Sequence, residues 1–316
     1  MESARWSGAL LCLAFVSVLS GCASTPPLSD QTRSALPERK LIEDVPFHGQ
    51  RDYQCGPATL AMVLDYADES VDAGGGPQTR VDQLIPQVFL PGREGSVQPE
   101  MLATVRRHGL IPFVIPAQMD AVLQEVAADR PVVVLQNLSL PWWPMWHYAV
   151  VIGYDLDDER LVLHSGETPG LDMAMGRFDA TWARSDRWGF VALSPGELPA
   201  SALGRETAKA IAAFESVQGA ATALPAWQAL AAREPALALA QFGLGNALAA
   251  TGERREAVRA FQRAVEVDPA FAAAWLNLGL VLRSLDRTDP ANDALRRAAE
   301  IPGPLQERAQ QRLDER

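Results

Sequence analysis

Cysteine is scarce in this chain: there are three in 316 residues, Cys12, Cys22 and Cys55. That number excludes a dense disulfide framework, so the fold has to stand on its hydrophobic core. Positive charge is also short, with 28 Lys and Arg against 39 Asp and Glu and a formal net charge of -11. Nucleic acid and an anionic membrane surface would be repelled, and neither is expected as a partner. The chain has no zinc-ligand spacing, phosphate-binding loop or dinucleotide fingerprint, so no metal or organic cofactor is expected. Asp157-Asp158-Glu159 lacks the spacing of a calcium loop and reads as a solvated turn. The amino-terminal apolar run, Trp6 to Val18, has 13 residues, fewer than the roughly 20 that span a bilayer as a helix.

That run has instead the form of a signal peptide, with a short n-region carrying Arg5 before it and Leu19-Ser20-Gly21-Cys22 after it. Small residues ahead of a Cys in this place resemble the bacterial lipobox. The resemblance implies removal of residues 1–21 and a lipid on Cys22 as membrane anchor. Ala23 in the next position implies sorting to the outer membrane of a Gram-negative cell, with the protein on the periplasmic face. Cys12 then leaves with the signal and Cys22 is alkylated, so Cys55 is the one thiol left and has no partner within the chain. Residues 22–40 contain Pro26, Pro27 and Pro37 among Ser and Thr without apolar periodicity, and read as a flexible tether. About 295 residues follow the cleavage point, enough for two domains.

The first, residues 41–198, begins with helical patterns and ends with strand patterns, an α+β arrangement. Leu60, Ala61, Val63 and Leu64 fall at helical spacing, Pro57 suits a first turn, and Cys55 lies just ahead of it. Pro99 to His108 and Met119 to Ala128 read as two further helices. Residues 131–137, 147–155, 160–164 and 188–193 are β-branched or aromatic runs bounded by turn residues, and the middle two form a hairpin across Asp155–Arg160. The breaker cluster Ser194-Pro195-Gly196-Glu197-Leu198-Pro199 closes the domain.

Residues 199–316 are Ala-rich and helical with a period of 34: Leu244-Gly245, Leu248, Ala257, Phe261 and Ala264 recur as Leu278-Gly279, Leu282, Ala291, Leu295 and Ala298. This looks like tetratricopeptide repeats, paired helices that pack through small residues. A weaker unit with Ala223, Trp227, Leu230 and Pro235 precedes them. So short a stack is expected to lean on the first domain.

The chemistry centres on Cys55 in Gln54-Cys55-Gly56-Pro57-Ala58. A helix amino terminus favours thiolate, Gly56 permits close approach of backbone to substrate, and Pro57 fixes the turn. A cysteine nucleophile needs an imidazole. Of four histidines, His48 reads as a loop residue and His108 as a helix carboxy-terminal cation, His164 ends a strand, and His147 begins one after Trp142, Trp143 and Trp146. Those tryptophans either wall a cleft beside His147 or belong to the core.

The motif Gln50-x-x-x-x-Cys55-Gly-Pro-Ala with a helix after it, and His147-Tyr-Ala-Val-Val-Ile-Gly-Tyr-Asp155 on a strand, is similar to papain-clan cysteine peptidases. The similarity is to the bacteriocin-leader-processing type, and particularly to lipoprotein relatives carrying tetratricopeptide repeats. It implies a papain-like fold for residues 41–198, Cys55 as nucleophile, His147 as general base and acid, and Gln50 in the oxyanion hole, with Gln54 a competitor for that place. The spacing of Gln50 to Cys55 is one residue shorter than the family pattern. The family's Asp or Asn on the strand after the His has no counterpart in Leu163-His164-Ser165-Gly166-Glu167. His164 is the favoured residue to orient His147, with Ser165, Glu167 and Asn137 as alternatives. The expected function is hydrolysis of a peptide bond through a thioester by a lipid-anchored cysteine peptidase whose repeats recruit substrate or a partner protein. The rivals are a weak or inactive adaptor of the same fold, supported by the missing Asp or Asn, and a transferase or amidase that passes the thioester to another acceptor.

Overall fold

The computed structural model describes residues 28–49, 54–70, 81–93, 95–202 and 204–315. The signal segment, Cys22, the first part of the tether and Gln50 lie outside the described residues. Helix α1 (Asp30–Ala35) and strand β1 (Arg39–Leu41) lead to α2 (Cys55–Ser70), α3 (Val81–Val88), a ribbon of β2 (Phe89–Leu90) and β3 (Gly95–Ser96), α4 (Gln98–Arg107), β4 (Ile111–Val114) and α5 (Met119–Ala127). Next come β5 (Val132–Asn137), β6 (Trp146–Asp155), β7 (Arg160–Ser165), β8 (Thr168–Ala174), α6 (Met175–Trp182) and β9 (Gly189–Leu193). Seven strands form one antiparallel sheet in the order β4-β9-β5-β6-β7-β8, with β1 paired to the far end of β6.

Composition explains each strand's place. Val132, Val133 and Val134 of β5 are buried on both faces between β6 and β9, as an uninterrupted β-branched run should be. Among the strands that pattern reading misses, β4 and β8 stand at the two ends of the strand order, and β1 pairs only at the far end of β6. Pro112 in β4 is tolerated there because an edge strand can spare a ladder N–H. In β8, Pro169, Gly170 and Asp172 weaken the β signal along an exposed edge.

The stretch expected to be tether up to Lys40 is partly built into the domain. Ser29 caps α1 by accepting from the Thr32 N–H, and its own N–H and hydroxyl donate to Asp120 Oδ1 at 3.1 and 2.7 Å. Thr32 is buried, Leu36 packs on the core, and β1 pairs Arg39 with Asp155.

The remaining helices are α7 (Arg205–Gln218), α8 (Ala220–Arg233), α9 (Ala238–Thr251), α10 (Arg254–Val267), α11 (Ala272–Arg283), α12 (Thr288–Glu300) and α13 (Gln306–Asp314). They pack in sequence as antiparallel hairpins, and the 34-residue period has a direct packing cause. A Cβ on Gly245 would meet the Phe261 ring at 2.6 Å, and one on Gly279 would meet Leu295 Cγ at 2.6 Å. Equivalent glycines thus seat equivalent large side chains.

This helical array shares its innermost core with the sheet domain. Ile211 and Phe214 of α7, Trp227 of α8 and Ala240 of α9 belong to the same buried cluster as the sheet, and a separate cluster begins at Leu248. Two polar fastenings reinforce the join. The fully buried Glu125 accepts from the N–H groups of Ala200 and Ser201 at 3.1 and 2.8 Å and from the Ser201 hydroxyl, with Arg130 at 3.4 Å. Gln218 donates to the carbonyls of Arg106 and Arg107 at 2.7 and 3.2 Å, at the carboxy terminus of α4. Replacing Glu125 by Ala strands three donors and an arginine. It is expected to lower the unfolding free energy by about 3 kcal/mol, and Glu125→Gln, which keeps an acceptor, by about 1 kcal/mol; urea titration of the two variants checks the order and the size.

Candidate active site

The first turn of α2 is built by a short list of residues with defined tasks. Gln54 is its cap, because its carbonyl accepts the first intrahelical bond, from the Ala58 N–H at 3.0 Å. Cys55 is therefore the first helical residue rather than one just ahead of the turn. Gly56 and Pro57 follow, and Pro57 stands where a missing N–H costs no hydrogen bond. The Thr59 hydroxyl, wholly buried, lies 2.9 and 3.0 Å from the carbonyls of Cys55 and Gly56 and locks the turn.

Gly56 is required here for packing. A Cβ at this position would overlap Ser96 Oγ and Cβ of β3 and come within 3.3 Å of Met101 Sδ. The sequence suggested close approach of substrate as the reason for the glycine, whereas the described neighbour is Ser96. The Ser96 carbonyl in turn accepts from the Tyr148 hydroxyl at 3.4 Å, which ties β3, α2 and β6 together.

The backbone N–H groups of Tyr148, Gly56 and Cys55 itself lie near enough to the half-buried Cys55 sulfur to favour its thiolate. The last two are donors left free at a helix amino terminus. Tyr148 follows His147 directly on β6, so the helix start and the first residues of that strand meet at the sulfur. Burial pushes the thiol above its ordinary range, and the three N–H groups only partly offset it. Burial also holds the His147 imidazole below its ordinary range. The sequence-based expectation of a depressed thiol at a helix terminus is thus reversed, because desolvation outweighs the helix end. Both shifts favour the uncharged forms, a thiol and a neutral imidazole. The Tyr148 phenol is likewise raised, by burial first and by the neighbouring Cys55 charge second.

His147 Nε2 is 2.8 Å from Ser165 Oγ, across the β6–β7 pair. When Nε2–H donates in this bond, the Nδ1 lone pair is left to take a proton. His164, the favoured candidate for this orienting role, does not fill it. The Gly170 N–H donates to its Nδ1 at 3.1 Å, so Nε2 carries the proton and donates to the Val45 carbonyl at 3.0 Å. Its ring also meets Phe47 edge-on at 5.2 Å. His164 is buried, which lowers its pKa against the raising effect of the Val45 carbonyl. Asn137 is likewise committed elsewhere, with Oδ1 accepting from Ser139 and Met145 at 3.0 and 2.9 Å. Glu167 is exposed in the turn after β7.

The other two histidines are structural. His108 caps the carboxy terminus of α4. His48 donates to the buried Asp65 Oδ2 at 2.7 Å, a pair that pattern reading misses. Its one signal is an acid ten residues beyond Cys55, directly after the apolar run Leu60–Leu64. The carbonyl of Val45, the ring of Phe47 and the side chain of His48 together hold the stretch that leads toward Gln50. Trp142, Trp143 and Trp146 are exposed, so they are not core. Among the described residues no group of three or more His, Cys, Asp or Glu is placed to hold a metal ion.

Residues 42–168 match the model of the Peptidase_C39 like family, a span that includes Cys55, His147 and Ser165. Residues 245–285 match a TPR repeat. Among solved structures, MamA is similar at 26% identity over 34% of this chain and 63% of that one, with a TM-score of 0.32. The translocator chaperone SycD of Yersinia enterocolitica is similar at 17% identity over 34% of this chain and 79% of that one, at 0.33. The Sgt2 TPR domain from Aspergillus fumigatus matches at 18% over 34% and 75%, at 0.32. A comparison with curated proteins finds no match. The antiparallel-sheet domain that carries Cys55 and His147 thus contains a Peptidase_C39-like match over residues 42–168, and the helical hairpins that follow contain a TPR-repeat match over residues 245–285.

Proposed function

We propose that the chain is a cysteine peptidase, with Cys55 as nucleophile and His147 as general base and acid. The observation that carries this reading is the packing of the α2 helix that starts at Cys55 against β6, the strand on which His147 is held by Ser165 at 2.8 Å. Cys55 Sγ attacks the peptide carbonyl carbon as its proton passes to His147 Nδ1. The oxyanion that forms is met by the Cys55 N–H and, as the family resemblance implies, by the Gln50 side chain. On collapse the C–N bond breaks, the amine leaves with the proton from Nδ1, and a thioester remains. Water, deprotonated by the same imidazole, cleaves the thioester and restores the thiol. Ser165 acts as a positioning residue that holds the imidazole; being neutral, it does not stabilise imidazolium as a carboxylate would. The repeats recruit substrate or a partner protein. A lipid on Cys22 anchors the chain at the periplasmic face of the outer membrane, a reading supported by the lipobox-like Leu19-Ser20-Gly21-Cys22.

A cleavage assay with a peptide library tests the activity. Cys55→Ala is expected to abolish turnover and His147→Ala to reduce kcat/KM by roughly 10²- to 10⁴-fold, the usual share of general acid–base catalysis. Full activity in either variant removes the peptidase reading, and a wild-type chain that binds peptides without cutting any returns the adaptor.

Labelling tests the electrostatics separately. Because the folded thiol ionises above its unfolded value, its alkylation by iodoacetamide at pH 7 is expected to be slower than in the urea-unfolded chain. The rate should climb by about tenfold per pH unit as the small thiolate fraction grows. A fast rate independent of pH across that range would mean a resting thiolate–imidazolium pair instead.

Ser165→Asp places an anion beside Nε2. It is expected to raise the His147 pKa by about 1 to 3 units and, through the imidazolium, to speed labelling near neutral pH. Ser165→Ala leaves the labelling profile where it was but lowers kcat, and pH–rate profiles of both variants distinguish charge from positioning.

A further inference from the structure

The loop between β5 and β6 holds six large apolar side chains in solvent: Leu138, Leu140, Trp142, Trp143, Met145 and Trp146, with Trp142 77% and Trp143 75% exposed. Other exposed large apolar residues of the described chain are scattered singly, which needs no explanation. The three tryptophans alone present roughly 400 Å² of side-chain surface, within the range of functional patches on monomers. Charge is absent as well, since no Asp, Glu, Lys or Arg occurs between Arg130 and Asp155.

The loop is braced from within. Asn137 Oδ1 accepts from Ser139 and Met145, the Leu138 N–H donates to the Met145 carbonyl at 2.9 Å, and the Trp143 N–H donates to the Leu140 carbonyl at 3.0 Å. From below, Arg184 donates to the carbonyls of Asn137 and Ser139 at 3.1 and 2.7 Å. Its backbone polar groups are satisfied locally while its apolar side chains point away from the core, the arrangement of a preorganised platform.

We propose that this loop is the docking surface for large apolar side chains of an extended peptide, and that it makes the enzyme select substrates with aromatic or branched aliphatic residues close to the scissile bond. This rests on the peptidase reading for the position of that bond. The patch ends on Trp146, one residue before His147, and residues 142–146 lie within at most roughly 18 Å of chain from it. Substrate residues within about five of the attacked carbonyl therefore reach it. A lipid surface is the rival occupant. The net charge of -11 and the exposed Glu167, two residues beyond Ser165, oppose an anionic one.

The full chain carrying Cys55→Ala is titrated with fluorescent decapeptides whose central residues are Phe, Trp and Leu in one series and Ser and Asp in another. Phosphatidylcholine vesicles are titrated in parallel. The apolar series is expected to bind at least tenfold more tightly than the polar one, and the Trp142→Ser/Trp143→Ser variant to lose at least fivefold of that affinity while its Cys55-intact form keeps the wild-type alkylation profile. Equal binding of the two series, unchanged binding by the variant, or vesicles that shift the loop's tryptophan emission and displace the peptide would each overturn the proposal. Tight, tryptophan-dependent binding without cleavage by the Cys55-intact chain leaves this surface standing and removes the peptidase reading, whereas cleavage indifferent to apolar residues does the reverse.

Discussion

The site depends on one contact, the first turn of α2 held against the start of β6. Neither partner is free to move. The Thr59 hydroxyl closes the turn from inside, and Gly56 lets Ser96 sit against it where any side chain would collide. Strand β6 is paired along its length, with β5 over Trp146 to Val151, β1 over Gly153 to Asp155, and β7 on its other side. Rigid neighbours of this kind are what allow a sulfur and an imidazole from distant parts of the sequence to be held in register, which loops alone do poorly.

Holding the pair in a buried place has an electrostatic cost that defines its chemistry. Desolvation penalises both charged forms, raising the thiol and lowering His147, so the ion pair is not the resting state. A carboxylate on Nε2 would reverse the balance, and Ser165 occupies that position instead. In the proposed reaction the proton would therefore pass during attack rather than before it. Around it, two histidines without catalytic placement carry structural load. His164 and His48 pin the chain at Val45 and at Asp65, so the approach to Gln50 is fastened once to the sheet and once to the helix that starts at Cys55.

Much of this was legible from residue patterns, and the misses share a cause. Strands β5, β6, β7 and β9 are β-branched because they are interior, and helix α2 follows from its apolar spacing; packing and pattern agree there. Edge strand β8 and the docked amino-terminal segment carry Pro, Gly and polar residues where solvent reaches them, β4 is a buried four-residue run broken by Pro112, and the pairing of all three is settled by tertiary neighbours. In the site, Cys55 and His147 stand out by residue type and neighbourhood. The choice among His164, Ser165, Glu167 and Asn137 turns on which side chain crosses from β7 to β6 and which is already engaged, and spacing alone does not carry that information. The direction of the thiol shift was misjudged for a related reason, since a helix terminus is visible in sequence and the depth of burial is not.

The repeats are positioned by the same logic that positions the thiol. Because Ile211, Phe214 and Trp227 continue the core of the sheet domain, the first helical hairpin is a fixed extension of it. Glu125 and Gln218 add polar bonds that hold only when α7 and its linker sit in one place. A join with a hydrophobic centre resists relative motion that a more polar interdomain contact would permit. Gly243 of α9 lies against the Trp227 ring of α8, which seats the second hairpin on the first, while Gly245 and Gly279 let the second and third hairpins close on Phe261 and Leu295, each unit packing on its neighbours. Whatever the repeats bind is therefore presented at a set distance and angle to Cys55. Under the proposed function, recruitment through the repeats would act on Cys55 by raising local concentration, with no conformational signal required.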